Sequence, residues 1–268
     1  MPEESVPRGV DGSVASPARI YDALLGGKEN YAVDRVVAEN LTHLVPLLPR
    51  IIRDNRDFLG RAVRFLAVEH GIRRFLDIGS GLPTEENVHQ VAQAVDPSAR
   101  VVYADNDPMA VVHARALMAK TPGTTATRAD LRDPADVLAR PEVRDLLSAG
   151  EPVGLLLVAV VHFLADDEDP YGVVSALTSA LPPGSFIVMS HATSDIDQEH
   201  RREAETAYRA TSDMHTRTRA EVTRFFDGMD LVQPGVVWSY DWRPPIKLAD
   251  PGPSRQGFYA AVAQVSPA

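Results

Sequence analysis

Phe75-Leu76-Asp77-Ile78-Gly79-Ser80-Gly81 reads as a buried strand that runs straight into a glycine turn. Two glycines one residue apart let the chain bend sharply and bring its backbone close to a ligand. A helix is expected from about Pro83, and the amides at a helix start face whatever lies above the strand's C-terminal end. Asp77 stands just before the turn, and Asp105 closes the next apolar run, Val101-Val102-Tyr103-Ala104. Strand, glycine turn, helix, strand and acid are the sequence form of a nucleoside-binding βαβ unit, in which the acid takes the ribose hydroxyls.

Working outward, the upstream segment is helical. Ser16 followed by Pro17 is a start signal for a helix over 17–25, and Gly26-Gly27 stops it. Apolar residues recur at helical spacing from Ala32 to Leu44 and again from about Ile51 to His70. Downstream, strands are expected at 74–78, 101–104, 124–129, 153–161 and 185–190, with helices between them. The run Val153–Val161 is almost wholly apolar, as suits a central strand covered on both faces. A charged helical stretch then covers 195–212, Thr218 and Glu221 have capping-box spacing, and two closing strands are expected at 231–237 and 258–264. This alternation predicts an α/β fold: a doubly wound, mostly parallel seven-stranded sheet with an N-terminal helical cap. Residues 1–16 are expected to be disordered and 17–268 to form a single domain. Its cap spans 17–70 and its sheet core 71–268, with a helical insertion at about 195–228.

Composition narrows the function. The chain has 268 residues, 44% of them hydrophobic, which suffices for a large core. A net charge of −10 argues against a nucleic-acid partner, because polyphosphate binding needs a basic surface. Cysteine is absent, which removes disulfides, cysteine zinc sites and thiol nucleophiles together. No apolar run of membrane-spanning length and no signal-like N-terminus is found, so a soluble cytoplasmic protein is expected, with its oligomeric state open.

Two classes of nucleoside ligand fit the turn. A dinucleotide fingerprint needs a third glycine where this chain has Thr84, and an acid at Asp77 is unusual there. S-adenosylmethionine has no pyrophosphate to cradle; an acid by the turn can meet its ammonium while a second meets the ribose. Asp77-x-Gly79-x-Gly81 resembles the first motif of class I S-adenosylmethionine-dependent methyltransferases. More narrowly, the chain resembles a bacterial family called S-adenosyl methyltransferase, long classed among domains of unknown function. The residues that carry this likeness run from Ala18 to Tyr31, with Asp34, and continue through Asp77–Thr84, Asn87-Val88-His89, Tyr103–Pro108 and Ala129–Pro134.

The resemblance implies a Rossmann-like methyltransferase that binds S-adenosylmethionine through Asp77, Gly79, Ser80, Gly81, Asp105 and Asn106, with Asp130 and Leu131 at the adenine. Many members of the wider class have a third glycine where Pro83 stands, and proline has no amide hydrogen to offer. The N-terminal segment is the candidate replacement. Its loop Gly26-Gly27-Lys28-Glu29-Asn30-Tyr31 has the make-up of a lid, with Tyr21, Asn30 and Tyr31 as expected cofactor contacts. His162, where the fourth strand ends, is the candidate general base, and His191 a weaker one. The remaining histidines lack metal-ligand spacing, and Trp238 and Trp242 are either core or a substrate mouth.

Methyl transfer needs donor and acceptor held in line more than it needs a nucleophile, which suits a chain without a triad or metal cluster. No Asn/Asp-Pro-Pro-Tyr motif follows the fourth strand, and the covalent cysteine route is closed. A small-molecule O- or N-nucleophile is therefore the expected acceptor. A catalytically silent S-adenosylmethionine-binding sensor is the alternative, and a nicotinamide-dependent oxidoreductase is disfavoured by Thr84 and Asp77.

Overall fold

The computed structural model describes residues 11–83, 86–118, 121–196, 214–246 and 256–266. The cap is built from α1 (Pro17–Leu25), α2 (Ala32–Leu44) and α3 (Leu48–Glu69). β1 (Arg74–Ile78), α4 (Val88–Val95), β2 (Arg100–Asp105), α5 (Pro108–Met118) and β3 (Thr124–Arg128) follow. Next come α6 (Pro134–Ala139), α7 (Pro141–Ser148), β4 (Val153–Val158), α8 (Pro170–Ser179) and β5 (Phe186–Ala192). α9 (Arg219–Arg224), β6 (Asp230–Leu231), β7 (Val237–Trp238) and β8 (Phe258–Gln264) end the chain.

The strands lie in the order β3-β2-β1-β4-β5-β8-β6, with β7 also paired to β8. β1 to β5 are parallel, and β8 runs antiparallel beside β5 from Phe186↔Gln264 to Ala192↔Phe258. β1 therefore sits between β2 and β4, where the strand order reverses, and ligands of open α/β sheets bind at such a switch point.

The strand period of two sorts the core onto two faces. Leu76, Val102, Leu155, Leu157, Ile187 and Met189 pack with Val137, Leu146, Val174 and Phe225 on one side. Phe75, Val101, Tyr103, Leu156 and Val188 pack with Phe58, Leu66, Val91 and Trp242 on the other. Asp77 shares the parity of Phe75 and so looks toward α3. A third cluster joins the cap to the sheet: Ile20, Leu24, Leu41 and Ile52 meet Ala192 and Phe258.

The doubly wound sheet and its helical cap agree with the sequence, and three local expectations are corrected. The helix after the glycine turn starts at Val88, not near Pro83, because Asn87 opens it with its N–H donated to Gln90 Oε1 at 2.8 Å. β4 stops at Val158, since Ala159 turns the chain at φ 56°. The closing strand at 231–237 splits into β6 and β7 around Gln233-Pro234-Gly235, where proline has no N–H for the ladder. Asp11, Val14, Ala15 and Ser16 line the cavity above the sheet. Residues 1–10, Thr84 and most of the charged stretch at 195–212 lie outside the described residues.

Candidate active site

A cavity of about 670 Å³ opens above the C-terminal ends of β1, β2 and β4, within the size range of small-molecule sites. Asp77, Gly79, Ser80, Gly81, Asp105, Asn106, Asp130, Leu131, Tyr21 and His162 all line it. Asn30 and Tyr31 do not. Asn30 is buried behind the wall with its Nδ2 on Asp22 Oδ2 at 2.8 Å, and Tyr31 packs against Leu82 and Met109.

The two glycines serve different needs. Gly79 sits at φ 70°, and a Cβ there would meet Val160 Cγ2 at 2.2 Å, so it clears space for the β4 loop. Its N–H donates to Ala104 O at 2.8 Å, which locks the turn onto β2. Gly81, at φ 64°, has open space where a Cβ would go, and its N–H donates to Asp105 Oδ2 at 2.7 Å. Asp105 Oδ1 accepts the Asp107 N–H at 2.8 Å. A carboxylate has about four lone-pair sites, so Asp105 keeps acceptor capacity for the cavity. Burial pushes its carboxyl up to about 6, against the hydrogen bonds from the Asp107 and Gly81 amides.

Asp77 is 4% exposed and, among the described residues, receives no hydrogen bond on its carboxylate. Burial pushes it up to about 7; the Arg56 charge opposes the shift and the Asp105 charge adds to it. Asp130 is more open. Burial raises its carboxyl, but the Arg132 N–H at 3.0 Å, the Asn106 Nδ2 at 3.2 Å and the Arg132 charge together hold it below the ordinary value.

His162 is 3% exposed, and burial holds its imidazole well below the usual histidine range, helped by His191 and Arg217. Its Nδ1 lies 3.4 Å from the Ala192 N–H. His191 is fully buried: its Nδ1 lies 2.7 Å from Ala192 O and its Nε2 3.0 Å from Arg217 Nη1. Arg217 continues to Asp166 Oδ1 at 2.6 Å, so His191 belongs to a structural network, neutral down to about pH 3 through burial. Trp242 packs edge-on to Phe58 and Phe65, and Trp238 stacks on Tyr259, so neither tryptophan borders the cavity.

The cap roofs the site through polar ties. Asp34, fully buried, accepts from Ser16 N–H at 3.0 Å, Arg19 Nε at 2.8 Å and Tyr31 N–H at 2.8 Å. Ser16 Oγ donates to Asp107 Oδ2 at 2.6 Å and so joins the N-terminal segment to the loop after β2. Tyr21 takes the Asn55 Nδ2 at 3.1 Å, and Gly27 has no Cβ because one would lie 2.0 Å from Asp22 Oδ1.

Sequence reasoning missed Arg56, which also lines the cavity. The signal was available: Ile52, Leu59 and Val63 form a buried stripe on α3, and Arg56 falls at helical spacing within it.

A parallel sheet that closes with an antiparallel hairpin, and bears an acid–glycine turn at the end of β1, defines a Rossmann-like methyltransferase fold. A profile of the S-adenosyl methyltransferase family matches residues 3–266, and the chain belongs to that family. Its fold is similar to that of a candidate methyltransferase from Thermobifida fusca, 41% identical over 97% of this chain and 98% of that one, with a TM-score of 0.92. It is equally similar to a DUF574 family protein from Streptomyces avermitilis, 42% identical over 96% and 99% of the two chains, with a TM-score of 0.91. The N-methyltransferase NodS of Bradyrhizobium japonicum, in complex with S-adenosyl-L-homocysteine, shares the fold at a TM-score of 0.50 and 13% identity, over 92% of this chain and 98% of that one. Among curated proteins none matches this chain. No helix among the described residues is long and apolar enough to cross a membrane.

Proposed function

We propose that this methyltransferase uses S-adenosylmethionine and transfers its methyl group directly, in line, to an O- or N-nucleophile of a small molecule. The observation that carries the reading is the pair of buried acids, Asp77 and Asp105, set on one face at the ends of β1 and β2 around a positive-φ glycine turn. The residues fit the cofactor: a carboxylate without a protein donor suits an ammonium, and the spare lone pairs of Asp105 suit ribose hydroxyls. Asp130 and the Leu131 backbone then meet the adenine at the end of β3. When bound, the cofactor supplies an activated methyl group on a sulfonium.

Around it the chain positions and excludes. The Ser16, Arg19 and Asp34 ties keep the cap over the cavity and water out of it. His162, buried and held neutral, is the candidate general base that takes the acceptor's proton. The acidic balance of the chain supports a small-molecule acceptor over a nucleic acid.

Calorimetry with S-adenosylmethionine, S-adenosylhomocysteine and NAD(H) tests the cofactor. Both sulfur compounds should bind, and Asp105→Ala should weaken each by about 1–3 kcal/mol, the cost of hydroxyls left without a charged partner. Binding of NAD(H) alone would overturn the reading, and unchanged affinity in Asp105→Ala would remove that residue from the site. A turnover assay across small O- and N-nucleophiles then separates an enzyme from a silent binder.

A further inference from the structure

Arg56 and Asp77 are each short of a partner. The Arg56 Nη2 reaches Glu86 O at 3.4 Å and Asn87 Oδ1 at 3.3 Å, both at the long end of hydrogen bonding. Its Nε–H is buried and has no acceptor, and among the described residues the guanidinium forms no ion pair. Asp77 faces α3 by strand parity and has no donor of its own. The two feel each other's charge without closing an ion pair. A half-buried guanidinium and a buried carboxylate that line one cavity without an ion pair between them are complementary to a zwitterion that meets both. In an α-amino acid the ammonium and carboxylate stand on the same carbon, so one corner of a cavity can meet both. The backbone cannot supply the carboxylate's donor at Pro83, which has no N–H.

We propose that Arg56 binds the α-carboxylate of the cofactor's methionine end while Asp77 holds its ammonium. The inference rests on the cofactor reading above. It makes Arg56 the residue that tells an intact amino-acid tail from its absence, and it assigns to α3 the donor that the glycine turn lacks.

The test compares S-adenosylhomocysteine with 5′-methylthioadenosine, which keeps the adenosine and loses the tail, by calorimetry on the full chain. Arg56→Leu should weaken S-adenosylhomocysteine by about 10–100-fold, as expected for a lost charge-assisted hydrogen bond, and shift 5′-methylthioadenosine by less than about 3-fold. Arg56→Lys should recover part of the loss. Equal weakening of both ligands would overturn the proposal by making Arg56 a support for the loop at Glu86 and Asn87. Unchanged binding of S-adenosylhomocysteine would overturn it outright. If Arg56→Leu fails to fold, wild-type protein decides with S-adenosylhomocysteine and its decarboxylated analogue: a preference of about 10-fold or more for the intact compound supports the proposal, and equal affinity refutes it. Wild-type protein that binds neither adenosine compound would bring down the cofactor reading itself, a result distinct from failure at Arg56.

Discussion

A carboxyl raised to about 7 is a liability in the ligand-free protein, and Asp77 carries it. An ordinary aspartate titrates near 3.9 in an unfolded chain, so between about pH 4 and pH 7 the folded state holds more protons than the unfolded one. Stability from this group therefore falls as pH rises through that window, the reverse of a salt-bridged aspartate. Asp77→Asn removes the buried charge and keeps the shape. At pH 8 the ligand-free variant should gain on the order of 1 kcal/mol, a rise of about 2–4 °C in Tm. At pH 3.5, where Asp77 is protonated in the folded chain and largely so in the unfolded one, the two stabilities should converge. Thermal denaturation at both pH values checks this, and a variant less stable at pH 8 would mean that the fold already compensates the charge. The position of Asp77 was legible in the sequence from its glycine neighbours. Arg56 was signalled as a charge within an apolar helical stripe, but helical spacing alone does not say which strand such a residue will face.

Among the elements, the tie of α1 to α2 is the most exposed to a single change. Arg19 and Asp34 form a buried pair, 4% and 0% exposed at the side chains, and Asp34 also takes the amides of Ser16 and Tyr31. Asp34→Ala strands the Arg19 charge and frees both amides. Breaking a buried pair on one side costs about 3–5 kcal/mol, and urea unfolding followed by tryptophan fluorescence should show the loss as a lower midpoint. Double replacement with Arg19→Met should recover part of it, since no buried charge is then left. If Asp34→Ala keeps the wild-type midpoint, the cap is not held by this pair.

Element existence was well written in the sequence: Ser16-Pro17 and Gly26 bound α1 as read, and β8 spans the predicted 258–264. Boundaries fared worse where backbone conformation overrides pattern. The apolar run after Val153 continues through Val161, but the turn at Ala159 ends the strand without any change in hydrophobicity. Asn87 and Gln90 have the spacing that starts a helix, yet Pro83 offered an earlier start signal that the chain does not use. The N-terminal loop reads as a lid from its composition, yet none of residues 26–31 lines the cavity. That Asn30 and Tyr31 brace the wall without lining it depends on Asp22 and Leu82, whose positions only the packed cap fixes.

Across the whole molecule, folding, protonation and cofactor binding draw on the same two carboxyls. Without ligand, burial raises Asp77 to about 7 and Asp105 to about 6, so acid conditions favour their neutral forms. An ammonium and a pair of ribose hydroxyls call for both groups ionised, and binding must therefore lower both and release protons below about pH 7. Affinity should rise with pH from 5 to 7.5 and then level off. Any ligand that binds only the folded state stabilises it by about 2.7 kcal/mol at one hundred times its Kd. For a chain of this size that is a rise of at least several degrees in Tm. A fixed concentration of S-adenosylhomocysteine that gives such a rise at pH 7.5 should give a much smaller one at pH 5.5, although the empty protein gains stability from these groups on acidification. Calorimetry at pH 5.5 in buffers of different ionisation enthalpy should then show proton release on binding, a release that Asp77→Asn reduces. A thermal shift of equal size at both pH values, with no buffer dependence, would mean that neither carboxyl changes ionisation when the cavity fills.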